Sequence, residues 1–460
     1  MGRTISRRRG RRSQVAGRIA YLRRLALLAL LLSLAFAGSA HASSWVAVKG
    51  ARGPGPAKYD VTHVRIFGPK SAKRVLILVP GYISGAGDFT EIAPDIVKRV
   101  PNLQVWAWDR RPNAFEDTSV FAKGDPDQAY SYYLNGGTVD GKTFEPLDPA
   151  TVPFVRDWGL KLELEDLRTV VLKARDGGRR QVILGGHSLG GSTTAAYAAW
   201  DFNGHPGYKD LTGLVLVDGG LLGTFATPSL KRVKQRLTAI RKGNPFEDLL
   251  GLGIPWAAGV FTEVATLYAH TKPNEPSVIQ QYPLIPPDVR PPVPATNEAA
   301  LGYAFDASTS PKSLALIQVH AGRLAASGDP RPWQAGELTP LPRLEAGFNS
   351  EPGNAVEWYF PSRLRLDVDG ANGLDRNAIT KFLGLREYHL AQVNIPLYAF
   401  ETNLTHGRVL RGARRFAAAS KVPRTTLVAD HGASHLDPLF AAPAKNKFLT
   451  TVVPFLKSLR

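Results

Sequence analysis

Gly186-His187-Ser188-Leu189-Gly190-Gly191 sets one hydroxyl among glycines, directly after the β-rich run Gln181 to Leu184 and ahead of the helix-forming stretch Ser192 to Phe202. A serine hydroxyl attacks an acyl carbon only when a neighbouring base takes its proton. A sharp strand-to-helix turn presents such a serine to a ligand, small neighbours let the chain bend around it, and the helix N-terminus behind it favours negative charge. The Gly-x-Ser-x-Gly pattern alone occurs often by chance. A strand before it and a helix after it make Ser188 a candidate nucleophile rather than an ordinary serine in a glycine-rich turn.

The elements around the motif follow an alternating order. Val75-Leu76-Ile77-Leu78-Val79 is a continuous apolar run closed by Pro80-Gly81, as expected of a parallel strand covered on both faces. Similar runs stand at Leu103 to Trp108, Gln181 to Leu184, Leu214 to Val217, Leu397 to Phe400 and Thr426 to Val428. Amphipathic, helix-length segments separate several of them: Asp88 to Val100, Leu160 to Ala174, Ser192 to Phe202, Arg408 to Ala419 and Asn446 to Leu459. The alternation predicts an α/β fold with a doubly wound, mostly parallel sheet, and Val61 to Phe67 adds an antiparallel edge strand. Between about Leu221 and Val393 the pattern breaks, and eight prolines crowd between Pro273 and Pro294. The apolar helical pieces Leu249 to Ala258 and Glu263 to His270 indicate a cap folded over the sheet.

With these motifs in place the chain resembles the α/β-hydrolase superfamily, over about residues 55–220 and 394–460 but not over the insertion. The resemblance implies a core in two parts, 43–220 and 394–460, interrupted by a cap or lid at 221–393. It also implies a general-base histidine on the loop after the last strand. That loop reads Asp430-His431-Gly432-Ala433-Ser434-His435-Leu436-Asp437-Pro438, and His435, leading towards the final helix, is favoured over His431. For the acid that orients the histidine two carboxylates compete. Glu401 follows the strand Leu397 to Phe400 but stands early, and Asp218 ends the strand Leu214 to Val217, where some lipases of this fold draw their acid. The oxyanion hole would take one backbone N–H from Leu189 and another from Tyr82, in Pro80-Gly81-Tyr82-Ile83, where many relatives have His-Gly. Losing one such donor costs about 3–4 kcal/mol of transition-state stabilisation. The Tyr82 side chain has a second possible role, lining the pocket. His187 is expected to pack within the turn, and His63, His205, His270, His320, His389 and His406 have no comparable context.

Other signals along the chain have plainer readings. Asp367-Val368-Asp369-Gly370-Ala371-Asn372-Gly373-Leu374-Asp375 looks like a calcium loop, but Asn372 and Ala378 occupy the positions where an EF-hand needs Gly and Glu, so a polar turn is expected. Arg110-Arg111 suits an anionic substrate group or, more simply, a structural role. The aromatics Trp256, Phe261, Tyr268, Trp333, Trp358, Tyr359 and Phe360 would line an acyl pocket or form the insertion's own core. There is no phosphate-binding glycine loop, metal-spaced histidine cluster or nucleotide fingerprint, so neither a cofactor nor a metal is expected.

Composition narrows the class. Of 460 residues 44% are hydrophobic and 21% charged, as in a folded globular protein. The formal charge of +18 suggests a nucleic-acid partner until its position is considered. Residues 1–42 hold nine arginines (Arg3, Arg7, Arg8, Arg9, Arg11, Arg12, Arg18, Arg23 and Arg24) and no acid, which leaves +9 across the remaining chain and argues against such a partner. The basic stretch to Arg24, the apolar run Leu25 to Ala37 and Ala40-His41-Ala42 read as a signal peptide cleaved after Ala42, hence a secreted or cell-envelope protein. Thirteen apolar residues are too short to span a bilayer core of roughly 30 Å, and no stable membrane span is expected in the mature chain. With no cysteine, stability must come from packing alone. The expected activity is hydrolysis of a small-molecule or lipid ester through an acyl-enzyme. The alternatives are an acyltransferase, a peptidase or amidase using the same groups, an inactive binding protein on this fold, or a basic protein held on anionic envelope surfaces.

Overall fold

The computed structural model describes residues 43–459 except positions 337 and 375, so the signal-peptide reading of residues 1–42 lies outside the described residues. Eight strands form the central sheet: β1 (Ser44–Lys49), β2 (Val61–Phe67), β3 (Arg74–Val79), β4 (Leu103–Asp109), β5 (Gln181–His187), β6 (Gly213–Val217), β7 (Leu397–Glu401) and β8 (Thr425–Ala429). Their order across the sheet is β1-β2-β4-β3-β5-β6-β7-β8. The pairs β1–β2 and β2–β4 are antiparallel and all others parallel. Val61–Phe67 is therefore not the edge: β1 pairs outside it, from Ser44 opposite Ile66 to Lys49 opposite Val61. SWVAVK is half exposed, so it lacks the uninterrupted apolar run that marks the inner strands.

The period of two along each strand builds two cores. Val75, Ile77, Val79, Leu184, Leu214 and Leu216 face one side, and Leu76, Leu78, Ile183, Val215 and Val217 face the other. The helices are α1 (Ile92–Arg99), α2 (Pro126–Leu134), α3 (Leu160–Arg175), α4 (Leu189–Ala199), α5 (Leu230–Lys242), α6 (Ala257–Thr271), α7 (Asn297–Phe305), α8 (Leu341–Phe348), α9 (Ser362–Ala371), α10 (Ala378–Leu383), α11 (Arg408–Ala418), α12 (Asp437–Phe440) and α13 (Lys447–Ser458). Helices α3, α4 and α11 bury apolar faces in the first core, and α1 and α13 close the second. Every residue of α4 is buried, which is why its small alanines, glycines and threonines suit a helix lying against the sheet.

Between β6 and β7 lie α5 to α10 and a short antiparallel ribbon, Gly322–Leu324 with Trp333–Ala335. These elements merge with the core: Val233 and Leu237 of α5 join the first apolar cluster, and Leu344 and Phe348 of α8 join the second. The helical piece expected from Leu249 is turn structure up to Ala257. A third cluster, with Phe121, Tyr133 and Trp158 against Tyr268, Trp358 and Tyr359, joins the insertion to an excursion between β4 and α3 that has no helical signal in the sequence. Its helix α2 starts at Pro126 and is capped by Asp125, whose carboxylate accepts the Asp127 and Gln128 N–H groups. Of the acidic run from Asp367, residues 367–371 are helical in α9, and turn structure is confined to Asn372 and Gly373. Ion pairs Arg363–Asp367 (2.8 Å) and Arg365–Asp369 (3.3 Å) tie successive turns while Leu364, Leu366 and Val368 go inward.

Candidate active site

Ser188 stands between β5 and α4 at φ 55°, ψ −123°, a conformation costly for a residue with a side chain. The surroundings hold it there. A side chain at Gly190 would overlap the Val79 carbonyl, one at Gly186 the Gly190 carbonyl, and one at Gly219 the carbonyl of Ser188 itself. The Ser188 N–H donates to the Val217 carbonyl at 2.8 Å, which ties the turn to the end of β6.

The next residue on that strand is Asp218, wholly buried, whose Oδ2 lies 2.6 Å from Nδ1 of His435. Asp218 also accepts the Thr402 N–H at 2.9 Å and the Thr402 hydroxyl. Burial pushes this carboxyl up, but the hydrogen bonds from His435 and Thr402 outweigh it and hold the group below the usual range. Glu401 faces elsewhere. Its carboxylate accepts the N–H groups of Gly407 and Leu410 (2.7 Å for the latter), capping the start of α11. Its nearest histidine is the exposed His431, at 3.7 Å. Of the two candidate acids and two candidate histidines, the fold thus brings Asp218 and His435 together.

His187 adjoins both groups without sharing their bond. Its Nε2 lies 2.9 Å from the His435 carbonyl, and the two rings are 4.3 Å apart. Burial, then repulsion from His435, lowers its pKa to about 3, so it is neutral at working pH. Among the described residues no hydrogen bond closes Ser188 Oγ onto His435, a contact that commonly tightens only in a Michaelis complex.

On the other side of Ser188 runs Pro80-Gly81-Tyr82. A Cβ on Gly81 would come within 3.2 Å of the Ser188 Cβ, so the end of β3 passes directly beside the hydroxyl. The Tyr82 ring lines the cavity and its hydroxyl donates to Glu247 at 2.7 Å, so the side chain is engaged while the backbone turns past Ser188. This segment is braced by Arg110, whose guanidinium is buried and donates to the carbonyls of Pro80 (2.6 Å) and Ser84 (2.9 Å) and to Glu163 (2.7 Å). Arg111 is likewise consumed, by Asp166 at 2.6 Å and Asp60 at 3.2 Å. Both arginines act within the framework, with no group left for a ligand.

One element of the site has only a faint sequence signal. Asp437 accepts the Ser434 N–H at 2.6 Å, the His320 N–H at 2.9 Å, and the Thr339 hydroxyl at 2.6 Å, and pairs with His320 Nδ1 at 2.6 Å. The Leu436 N–H adds a bond to the Gln318 carbonyl at 3.1 Å. The loop carrying His435 is thereby fastened to the insertion. The signal available was only the acid two places after His435, and its partners lie about a hundred residues away.

A cavity of about 230 Å³ opens over Ser188, lined by Tyr82, Leu189, Leu221, Phe225, Leu316 and Val368, with Arg365, Asp369 and Arg408 towards its polar side. A second cavity, of about 110 Å³, is almost wholly apolar and lies inside the insertion, with Phe261, Leu301, Phe305 and Phe348 in its wall. Segment Lys312–Ile317 separates them: Leu316 faces the first, Leu314 and Ile317 the second. Of the insertion's aromatics singled out in the sequence, Phe261 lines a cavity, whereas Trp358, Tyr359 and Tyr268 are core. No group of three or more acidic or histidine side chains with metal-binding geometry occurs among the described residues.

No family profile and no curated protein sequence matches the chain. Solved structures do. A candidate lipase from Sulfolobus solfataricus superposes with a TM-score of 0.51 at 15% identity, covering 91% of this chain and 94% of that one. A thermophilic esterase from Thermogutta terrifontis follows at TM-score 0.39 and 12% identity, over 90% of this chain and 99% of its own. A monoacylglycerol lipase from Paleococcus ferrophilus gives 0.39 and 12%, over 87% and 99%. The mostly parallel eight-stranded sheet, the strained serine between its fifth strand and the following helix, and the likeness to the first of these structures identify the chain as a protein of the α/β-hydrolase fold.

Proposed function

We propose that the chain is a serine hydrolase of carboxylic esters, with Ser188 as nucleophile, His435 as general base and Asp218 as the orienting acid. The observation that carries this is the buried 2.6 Å bond between Asp218 and His435 beside a serine held at positive φ. A carboxylate on Nδ1 fixes the tautomer in which Nε2 is free to take the Ser188 proton, and it stabilises the imidazolium that results. The alkoxide then attacks the acyl carbonyl, and the oxygen's developing charge meets the backbone N–H groups of Leu189 and Tyr82. His435 returns its proton to the leaving alcohol, and water releases the acid by the reverse path.

The neighbouring cavities support a hydrophobic acyl group: the second, apolar cavity is one short segment away from the Ser188 cavity. Residues 221–393 serve, in this reading, as the cap that shapes both. Export through residues 1–42 belongs to the same proposal and rests on the sequence alone.

Labelling with a fluorophosphonate probe tests the assignment. Wild type should label and Ser188→Ala should not; labelling that persists in the variant removes Ser188 as nucleophile. A nitrophenyl ester series then reads acyl length, with rates expected to rise from acetate towards medium chains.

A further inference from the structure

Two helices near the Ser188 cavity, α11 at its wall and α5 one step behind it, carry positive charge on their open faces and contain no carboxylate. In α5, Val233, Leu237 and Ile240 are buried, while Lys231, Arg232, Lys234, Arg241 and Lys242 are exposed. In α11, Val409, Leu410, Ala413 and Phe416 are buried, while Arg408, Arg411, Arg414 and Arg415 are exposed. Among the described residues none of these cations has an acidic partner. The bonds that α11 makes go to backbone carbonyls: Arg408 to Thr405 at 3.0 Å and Arg415 to Leu222 at 3.1 Å.

Both helices connect to the same cavity, α11 directly and α5 through its neighbours. Arg408 lines the cavity, as do Leu221 and Phe225 in the segment leading to α5. From α5, Arg236 pairs at 2.7 Å with Asp369, another lining residue. One of the large apolar side chains left exposed, Phe382, accompanies this basic face: Lys234 lies 5.5 Å from its ring.

We infer that this face docks the protein on an anionic phospholipid bilayer, with the Ser188 cavity opening beside the contact. Cations on one face of a surface helix, with an aromatic side chain next to them, suit the phosphate and glycerol layer of a membrane, where charge is attracted and rings enter the interface. A soluble polyanion would satisfy the charges and leave the exposed Phe382 ring without a role. The inference rests on the proposed Ser188 chemistry only for its purpose, because docking needs no turnover.

The chain has no cysteine, so a single one placed by mutation carries a fluorophore at a known site. Full-length Thr238→Cys, on the exposed side of α5, is labelled with an environment-sensitive dye. Thr450→Cys, exposed on α13 across the sheet, is the control. Each is mixed with phosphatidylcholine vesicles with and without about one-third phosphatidylglycerol, at low salt and at roughly 0.5 M salt, where surface charges are screened within a few ångströms. The position-238 dye should shift to the blue with anionic vesicles at low salt only, and the position-450 dye should stay silent. Changing Lys231, Arg232, Lys234, Arg241 and Lys242 together to Gln should weaken vesicle binding on the order of 10³-fold and leave hydrolysis of a soluble nitrophenyl ester unchanged. A silent 238 dye on bound protein, equal response of both dyes, equal response to neutral vesicles, or an equal shift with soluble RNA would each overturn the inference. Ser188→Ala carrying the 238 dye should dock like wild type, so failure of docking and failure of catalysis are read separately.

Discussion

Replacing Asp218 by Asn changes one oxygen to an NH₂ group and tests how the site is wired. The carboxylate accepts from His435 Nδ1, from the Thr402 N–H and from the Thr402 hydroxyl. An amide oxygen can keep the Thr402 N–H, but the NH₂ must then donate where Oδ2 accepted. Facing a donor, His435 Nδ1 has to lose its proton, which moves to Nε2 and points at Ser188. The imidazole then presents a proton where the serine needs an acceptor. The expected loss is about 10⁴ in kcat, by analogy with the same change in a well-studied serine protease, and corresponds to about 5.5 kcal/mol of barrier. Nitrophenyl ester turnover measures kcat and KM, and thermal unfolding checks that the variant is folded. KM should change little, since Asp218 does not line the cavity. Glu401→Gln is the paired control: it weakens the cap of α11 and should lower the melting temperature while leaving kcat within a few-fold. Asp218→Asn with more than a tenth of wild-type kcat, or Glu401→Gln with the larger loss, would refute the wiring.

Further expectations follow from neighbouring groups. Arg110→Met leaves Glu163 buried without its partner and the Pro80 and Ser84 carbonyls without donors, which should cost about 3–5 kcal/mol in urea unfolding; a loss under about 1 kcal/mol would show the segment to be held otherwise. Asp437→Asn loosens the loop carrying His435 from His320 and Thr339 and should lower kcat on the order of 10²-fold without changing KM, and unchanged kcat would show the tie to be idle. His187 binds a proton near pH 6.5 when unfolded but only near pH 3 when folded. Its contribution to stability is therefore complete above pH 6.5 and is lost as the pH falls towards 3, at about 1.4 kcal/mol per unit. Unfolding of His187→Asn between pH 6 and pH 4 should show a shallower dependence than wild type, and equal slopes would contradict the burial argument.

Much of the molecule was legible along the chain because its signals are local. Continuous apolar runs mark strands buried on both faces, so β3 to β8 could be read within a residue or three of their ends, and the crowded glycines around Ser188 announced the turn. The half-exposed β1 and the helix α2 gave no such pattern. The choice between Asp218 and Glu401 was a different kind of problem. Both end neighbouring strands, β6 and β7, at the same edge of the sheet, and nothing along the chain says which carboxylate faces the histidine loop. Only the folded packing does, by turning Glu401 to the open N–H groups of α11 and leaving Asp218 under His435. The same holds for Asp437 and His320, 117 positions apart, and for Arg110, whose partners come from three separate segments. Types and local conformation are written in sequence because they depend on near neighbours; partnerships across the sheet are decided by tertiary structure, because a buried charge bonds with whatever the fold brings within reach.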